Sequence, residues 1–435
     1  MDFLGTSPLT FGQLSLWRSM EDLPPQRLTV ANLTRVWEIP PGRTASDVEA
    51  AWNRLVERHE GLRTSYRLTG PRGIEQVIHA ARAVTLPQRP VTGDVTGQAQ
   101  ATAGELASLP FDLGSAPLWR LALLTEDGRP VQLVLSIHHM AADRASVEVL
   151  HEELTALLSG KPLSEPAPTC RELAAAQFSP AWRTRRTQAI AYWEKTLAAA
   201  PRPAPLPGPD ASMYSGTLSS AAVRGEAGQL AASLGVSVQS LLLSLFCRTL
   251  SATRRSTTRP QDQDRLLVAL MAGNRVDPAM RTLVSSVNQL SPLLFDSGNG
   301  DFASVTRQVH TRTMRAYRHG CFDIDEATEA GRPYGVNGLG EGFDQVFNFL
   351  SGGVPTAPEG SGPDAWRVEV REEGRPLRYP LYFQAGYDDS GLWCGLTIRR
   401  DVSGEEARTA VLREIRTFLE EFHAELTKEI REAVR

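Results

Sequence analysis

The chain has 435 residues, 41% of them apolar and 22% charged, enough for two or three domains at about 150 residues each, every one with a sizeable core. Its 46 basic and 50 acidic residues leave a formal charge of −4, which argues against an extended nucleic-acid footprint. The opening Met1-Asp2-Phe3-Leu4-Gly5 has no leader character and no apolar run approaches the roughly 18 residues of a membrane span, so a cytoplasmic chain with neither nucleic-acid nor membrane partners is expected.

In chain order, Ala45–His59 reads as an amphipathic helix, with Val48, Ala51, Trp52, Leu55 and Val56 at helical spacing. Residues 130–138 read as a strand with Val131, Leu133, Leu135 and Ile137 on one face. A helix follows, carrying Val147, Leu150, Leu154, Leu157 and Leu158 on one side until Gly160 and Pro162 stop it. Five prolines between Ala200 and Pro209 exclude helix or central strand and read as a semi-rigid linker. The division expected is therefore a first half over 1–199, a linker over 200–212 and a second half over 213–435. In the second half, Val236–Leu250 reads as a buried helix, Arg265–Met271 and Leu392–Ile398 as strands, and 404–434 as a charged amphipathic helix. The Gly- and Pro-rich stretch 351–363 reads as an exposed loop. The fold class expected is α/β of the α+β type, in two halves.

His138 and His139 are adjacent at the end of an apolar strand, and Asp143 follows just before a helix. Neighbouring strand residues point to opposite faces, so one imidazole can face the interior while the other faces a cleft. Imidazole suits proton transfer near neutral pH. Asp143 can orient the loop, cap the helix or hold a cation. No metal is expected, because no further His or acidic cluster stands nearby at ligand spacing. Cys170, Cys247, Cys321 and Cys394 are widely separated and read as free thiols. There is no GxSxG elbow, P-loop or GxGxxG at a strand–helix junction.

The segment 136–143, Ser-Ile-His-His-Met-Ala-Ala-Asp, resembles the HHxxxD core of nonribosomal peptide synthetase condensation domains. Other stretches match that family in order. Leu9–Trp17 resembles its opening motif, and His59-Glu60-Gly61-Leu62-Arg63-Thr64 its H-E-x-L-R-T. Phe111–Arg120 is similar to FDL…PLxR, Tyr192-Trp193 to a pair before the inter-domain linker, Ala272–Arg275 to a strand-end AGR, and Val287-Asn288 to VNT. The resemblance implies two chloramphenicol-acetyltransferase-like halves forming a V, with HHxxxD in a central tunnel. It implies carrier proteins as partners, peptidyl or acyl, bringing thioesters on phosphopantetheine arms, with a small-molecule or carrier-bound amine or hydroxyl as acceptor and no bound cofactor. By position, His139 would be the catalytic His and His138 mainly structural. Asp143 would pair with Arg275 across the two halves, Arg63 would support the site, and Asn288 would shape the tunnel near the thioester.

Arg144 replaces the Gly usual after the Asp, and either projects toward the tunnel to meet an anion, lies in solvent at the helix start, or marks an altered loop. Ser15 stands where the opening motif has Arg, and the late HQxxPF and RDxSxxPLFQ signatures survive only as traces at 319–322 and 343–347. Without adenylation or carrier segments, a freestanding condensing enzyme is expected. Two alternatives accompany this reading: a non-catalytic relative that recruits partners to a carrier protein, and a coenzyme A-dependent acyltransferase.

Overall fold

The computed structural model describes residues 3–21, 23, 25–163, 166–204, 207–208, 211–220, 224–254, 265–275, 277–296, 300–336, 342–351, 366–373, 379–388 and 391–434. They fall into two compact units, one of residues 1–186 with 273–289 and one of 187–272 with 290–435. Among the described residues, no single helix is long and apolar enough to cross a membrane.

The first unit runs β1 (Phe3–Pro8), α1 (Phe11–Met20), β2 (Asn32–Glu38), α2 (Ala45–Arg58), β3 (Thr64–Leu68), β4 (Ile74–His79), β5 (Gln88–Pro90), α3 (Val95–Ser108), β6 (Trp119–Glu126), β7 (Arg129–His138), α4 (Arg144–Leu158) and α5 (Cys170–Phe178). Its strands form a three-stranded sheet in the order β1-β4-β3 and a four-stranded sheet in the order β2-β7-β6-β5. Side chains start the helices. Thr10 accepts from Gln13 N while Gln13 accepts from Thr10 N, and Thr44 and Asp47 make the same reciprocal cap. The expected apolar face of α2 is the buried one: Val48, Ala51, Trp52, Leu55 and Val56.

The strand β7 departs from its expected pattern. Leu133, Leu135 and Ile137 join the large core with α2 and α4, whereas Val131 packs with a smaller cluster beside Val134, Ala99 and Leu106. On β6, Leu124 pairs with Gln132 and Thr125 with Pro130, leaving Val131 as the extra residue of a bulge. One extra residue reverses the alternation of faces.

The second unit opens with α6 (Arg183–Ala199), whose first residues belong to the first unit, and continues β8 (Ser212–Ser220), α7 (Arg224–Leu234), α8 (Val238–Arg254), β9 (Arg265–Ala272), β10 (Gln289–Asp296), α9 (Phe302–Arg318), α10 (Ile324–Gly331), β11 (Gln345–Ser351), β12 (Trp366–Glu373), β13 (Leu381–Asp388), β14 (Gly391–Arg400) and α11 (Glu405–Val434). The strands form one sheet in the order β10-β9-β11-β13-β14-β8-β12. Its core holds Phe246, Phe347, Phe383, Phe418 and Phe422, from α8, β11, β13 and α11. The expected helices and strands of this half are present. The stretch 351–363 lies outside the described residues from 352 on.

Two boundaries differ from those expected. Most of α6 goes with the second unit, because Tyr192 donates to Pro292 O (2.6 Å) and the Trp193 ring meets Phe322 at a tilt and Phe343 edge to face. The proline-rich segment is tied there too, through Ala204 N to Asp344 Oδ1 (2.9 Å) and Arg202 Nη2 to Pro333 O (3.2 Å). Conversely, 273–289 leaves the second half and packs in the first unit, where Leu283, Val284 and Val287 are buried.

Candidate active site

Residues 139–142 connect the end of β7 to the start of α4, and the connection is packed rather than open. Met140, Ala141 and Ala142 are fully buried. The main chain is held at both ends, by His139 N to Ala31 O (2.7 Å) and Asp143 N to Ser285 O (3.3 Å). Tyr66 donates its hydroxyl proton to Met140 O (2.9 Å) and accepts from Gln13 Nε2 (3.1 Å). Two glycines allow close approach: a Cβ on Gly61 would sit 2.3 Å from Val284 O and one on Gly12 2.4 Å from Val287 Cα. So the turn 60–63 and the start of α1 press against 283–287, which in turn faces the histidine loop.

The two histidines have different surroundings. His138 is buried, its Nδ1 accepts from Met140 N (3.1 Å), and its ring meets Phe111 edge to face. Burial, with the adjacent His139, pushes its pKa down to about 3. His139 is only partly buried, and its Nδ1 lies 3.2 Å from Ser286 Oγ. Desolvation lowers its pKa, opposed by the Asp143 charge and by a hydrogen bond from the ring to its own backbone; the net direction is down. Both rings are therefore neutral at pH 7.

Asp143 caps α4 and is fully engaged. Oδ1 accepts from Arg275 Nη2 (2.7 Å) and Ser146 N (2.9 Å); Oδ2 accepts from Arg275 Nη1 (2.7 Å) and Val287 N (3.2 Å). Two N–H donors on each oxygen fill the roughly four lone-pair directions of a carboxylate. Desolvation raises its pKa, but the Arg275 charge, the Arg275 and Ser146 hydrogen bonds and the nearby His139 outweigh it, and the carboxyl lies below its ordinary value. Such a group braces the loop and has no lone pair for a substrate proton or a cation. Among the described residues no cluster of His, Cys, Asp or Glu could hold a metal ion.

The expected Asp143–Arg275 pair is present, but both partners belong to the first unit. Arg275 follows Asn274, whose φ of 52° is one of two positive values among described non-glycine residues. Asn274 Nδ2 donates to Val287 O (3.0 Å), which pins that turn against the chain leading to Asn288. Asn288 Oδ1 accepts from Ser286 Oγ (3.2 Å), so Asn288 joins the His139 cluster. Arg63 stands apart from the Asp143–Arg275 pair. It donates to His79 O (2.7 Å), and its own turn touches the site through Gly61. Arg144 is the first residue of α4 in ordinary backbone conformation. Its side chain is 22% exposed, with Nε 3.9 Å from Glu148 Oε1 and the positive charge of Arg35 close by.

Three contributors escaped the sequence reading. Ser146 Oγ accepts from Arg275 Nη2 (2.8 Å) and Ser285 N (3.0 Å) and donates to Ser285 O (2.8 Å). Ser286 touches His139, and Tyr66 holds the loop. Only Ser146 had a local signal, an Asp three residues upstream at a helix start.

The Condensation domain family model matches residues 6–434, and the chain belongs to that family. Its fold is the expected mixed α/β pair of acetyltransferase-like units. The condensation domain of the Monacolin K polyketide synthase MokA superposes with a TM-score of 0.77 at 17% identity, covering 99% of this chain and 98% of that one. In sequence, the chain is 29% identical over 309 residues to chondramide synthase cmdD of Chondromyces crocatus, 66% of this chain and 8% of that protein. It is 30% identical over 349 residues to the AMB antimetabolite synthetase AmbB of Pseudomonas aeruginosa, 77% of this chain and 27% of that protein. The chain thus spans a small part of the length of these curated relatives.

Proposed function

We propose that this chain is an acyltransferase of natural-product biosynthesis, nonribosomal or related. It joins an acyl or aminoacyl thioester on the phosphopantetheine arm of a carrier protein to an amine or hydroxyl acceptor. One observation carries the reading: of the three motif residues, Asp143 has its lone pairs occupied and His138 is buried against Met140 N, while His139 is a partly exposed, neutral imidazole.

In the proposed step His139 accepts a proton from the acceptor as its nitrogen or oxygen attacks the thioester carbon. The C–N or C–O bond forms, the C–S bond breaks, and the departing arm sulfur takes the proton back from His139. Holding two reactants in line supplies much of such a barrier, and one general base adds about 10²–10⁴-fold, so no bound cofactor is needed. Arg144 and Asn288 are proposed substrate contacts, and Arg63 a support of the turn behind the site.

The test is intact-protein mass spectrometry of acyl-loaded carrier proteins incubated with this protein or with His139→Ala, plus a panel of amines and alcohols. Acyl loss with a coupled product from the wild type alone is the expected result, and the product identifies the bond. Equal acyl loss with both proteins, or none with either, contradicts the reading.

A further inference from the structure

We propose that Ser286 and Asn288 fix the tautomer of His139, so that Nε2 is the nitrogen that takes the acceptor's proton; this rests on His139 being the base. The argument is a count of protons. Ser286 Oγ lies 3.2 Å from His139 Nδ1 and 3.2 Å from Asn288 Oδ1. A hydroxyl has one proton to give, and an amide oxygen only accepts. The Ser286 proton therefore goes to Asn288. The remaining bond is made by the imidazole, with Nδ1–H donating to Ser286 Oγ. Nε2 keeps its lone pair, as a base needs.

The neighbouring histidine is arranged the opposite way. His138 Nδ1 faces a backbone N–H, Met140 N at 3.1 Å, and can only accept, so its proton sits on Nε2. Adjacent residues thus hold opposite tautomers, one set from within the loop and one set by a side chain 147 positions away. Ser286 and Asn288 are positioning residues here. Ser286 touches the base at Nδ1, on the far side of the ring from the atom that reacts, and Asn288 acts through Ser286.

The experiment is long-range proton–nitrogen NMR of protein labelled with nitrogen-15 histidine, with steady-state kinetics alongside, for the wild type, Ser286→Ala, Ser286→Thr and Asn288→Ala. In the wild type His139 Nε2 is expected at the unprotonated position and Nδ1 at the protonated one, with His138 reversed as the internal reference. Ser286→Ala and Asn288→Ala should both move the His139 nitrogens toward averaged positions; Ser286→Ala should also lower kcat about three- to tenfold, what one hydrogen bond is worth, with KM held, whereas Asn288, a proposed substrate contact as well, is judged on the nitrogen positions. Ser286→Thr, which keeps the hydroxyl, should restore both. A protonated Nε2 in the wild type, or His139 signals unmoved by both alanine variants, overturns the proposal. The spectra need no substrate: an absence of acyl transfer by the wild type would sink the condensing role while the nitrogen signals still decide the tautomer.

Discussion

At the scale of single residues, the site is a set of polar groups whose partners decide their roles. Burial holds His139 below its ordinary pKa, so the protonated form, which could not serve as the proposed base, accumulates only in acid. The acid limb of the kcat/KM profile is expected below pH 6.5, and a limb above that value contradicts the assignment. Arg275 fixes Asp143 through both nitrogens. Arg275→Ala leaves a buried carboxylate without its cation and is expected to cost about 3–5 kcal/mol in urea unfolding. Removing the charge as well, in Arg275→Ala with Asp143→Asn, should recover part of that loss. Arg275→Lys should not substitute, since an ammonium cannot reproduce the two-pronged contact. Much of this cluster was legible beforehand: His138, His139 and Asp143 stand together in six residues, and the family resemblance supplied Arg275 and Asn288. Ser286 and Tyr66 were not legible, and Ser146 left only its place three residues after Asp143 at a helix start. Serine is common, and nothing local says that residue 286 will meet residue 139.

At the scale of elements, the helices and most strands follow their sequence periodicity, because α2, α4 and α11 each bury one regular face. The failures have local causes. A one-residue bulge moved Val131 off the face shared by Leu133, Leu135 and Ile137, and bulges leave little trace in a hydrophobic pattern. The ownership of α6 was decided by Tyr192 and Trp193 finding partners a hundred or more residues later. The close approach of the 60–63 turn to 283–287 makes a sharp prediction. Gly61→Ala drives a Cβ into Val284 O and should cost roughly 1–3 kcal/mol in thermal or urea unfolding, with activity falling as Ser286 shifts. Gly104→Ala is the matched control. It lies inside α3, its added Cβ meets nothing within 4 Å, and it should stabilise by up to about 1 kcal/mol. Equal effects from the two substitutions would show that 283–287 yields freely.

At the scale of the whole molecule, stability should depend on pH through the buried imidazole. His138 is held at about 3 in the folded chain against about 6.5 unfolded. Between those values the unfolded state binds the proton and the folded state does not, so stability is fully present above pH 6.5 and declines as pH falls toward 3. Each unit of the difference is worth about 1.4 kcal/mol. His138→Gln should flatten the urea midpoint over that window, and an unchanged slope would remove His138 as the cause. Asp143, lowered by Arg275, adds a further loss only in stronger acid, below the ordinary carboxylate range. The grouping of 273–289 with 1–186 has another consequence, which concerns time rather than space. A ribosome delivers Asp143 well before Arg275, which stands 132 residues further along, and a chain emerging at roughly 5–20 residues per second waits many seconds for its counter-charge. Until then the histidine loop has neither its cation nor the Ser286 contact. A nascent chain stalled or clipped before residue 275 therefore carries a bare acid beside its two histidines, and one cut between 275 and 286 has the cation without the Ser286 contact, so the last brace of the proposed site doubles as a check that synthesis has passed well into the second unit.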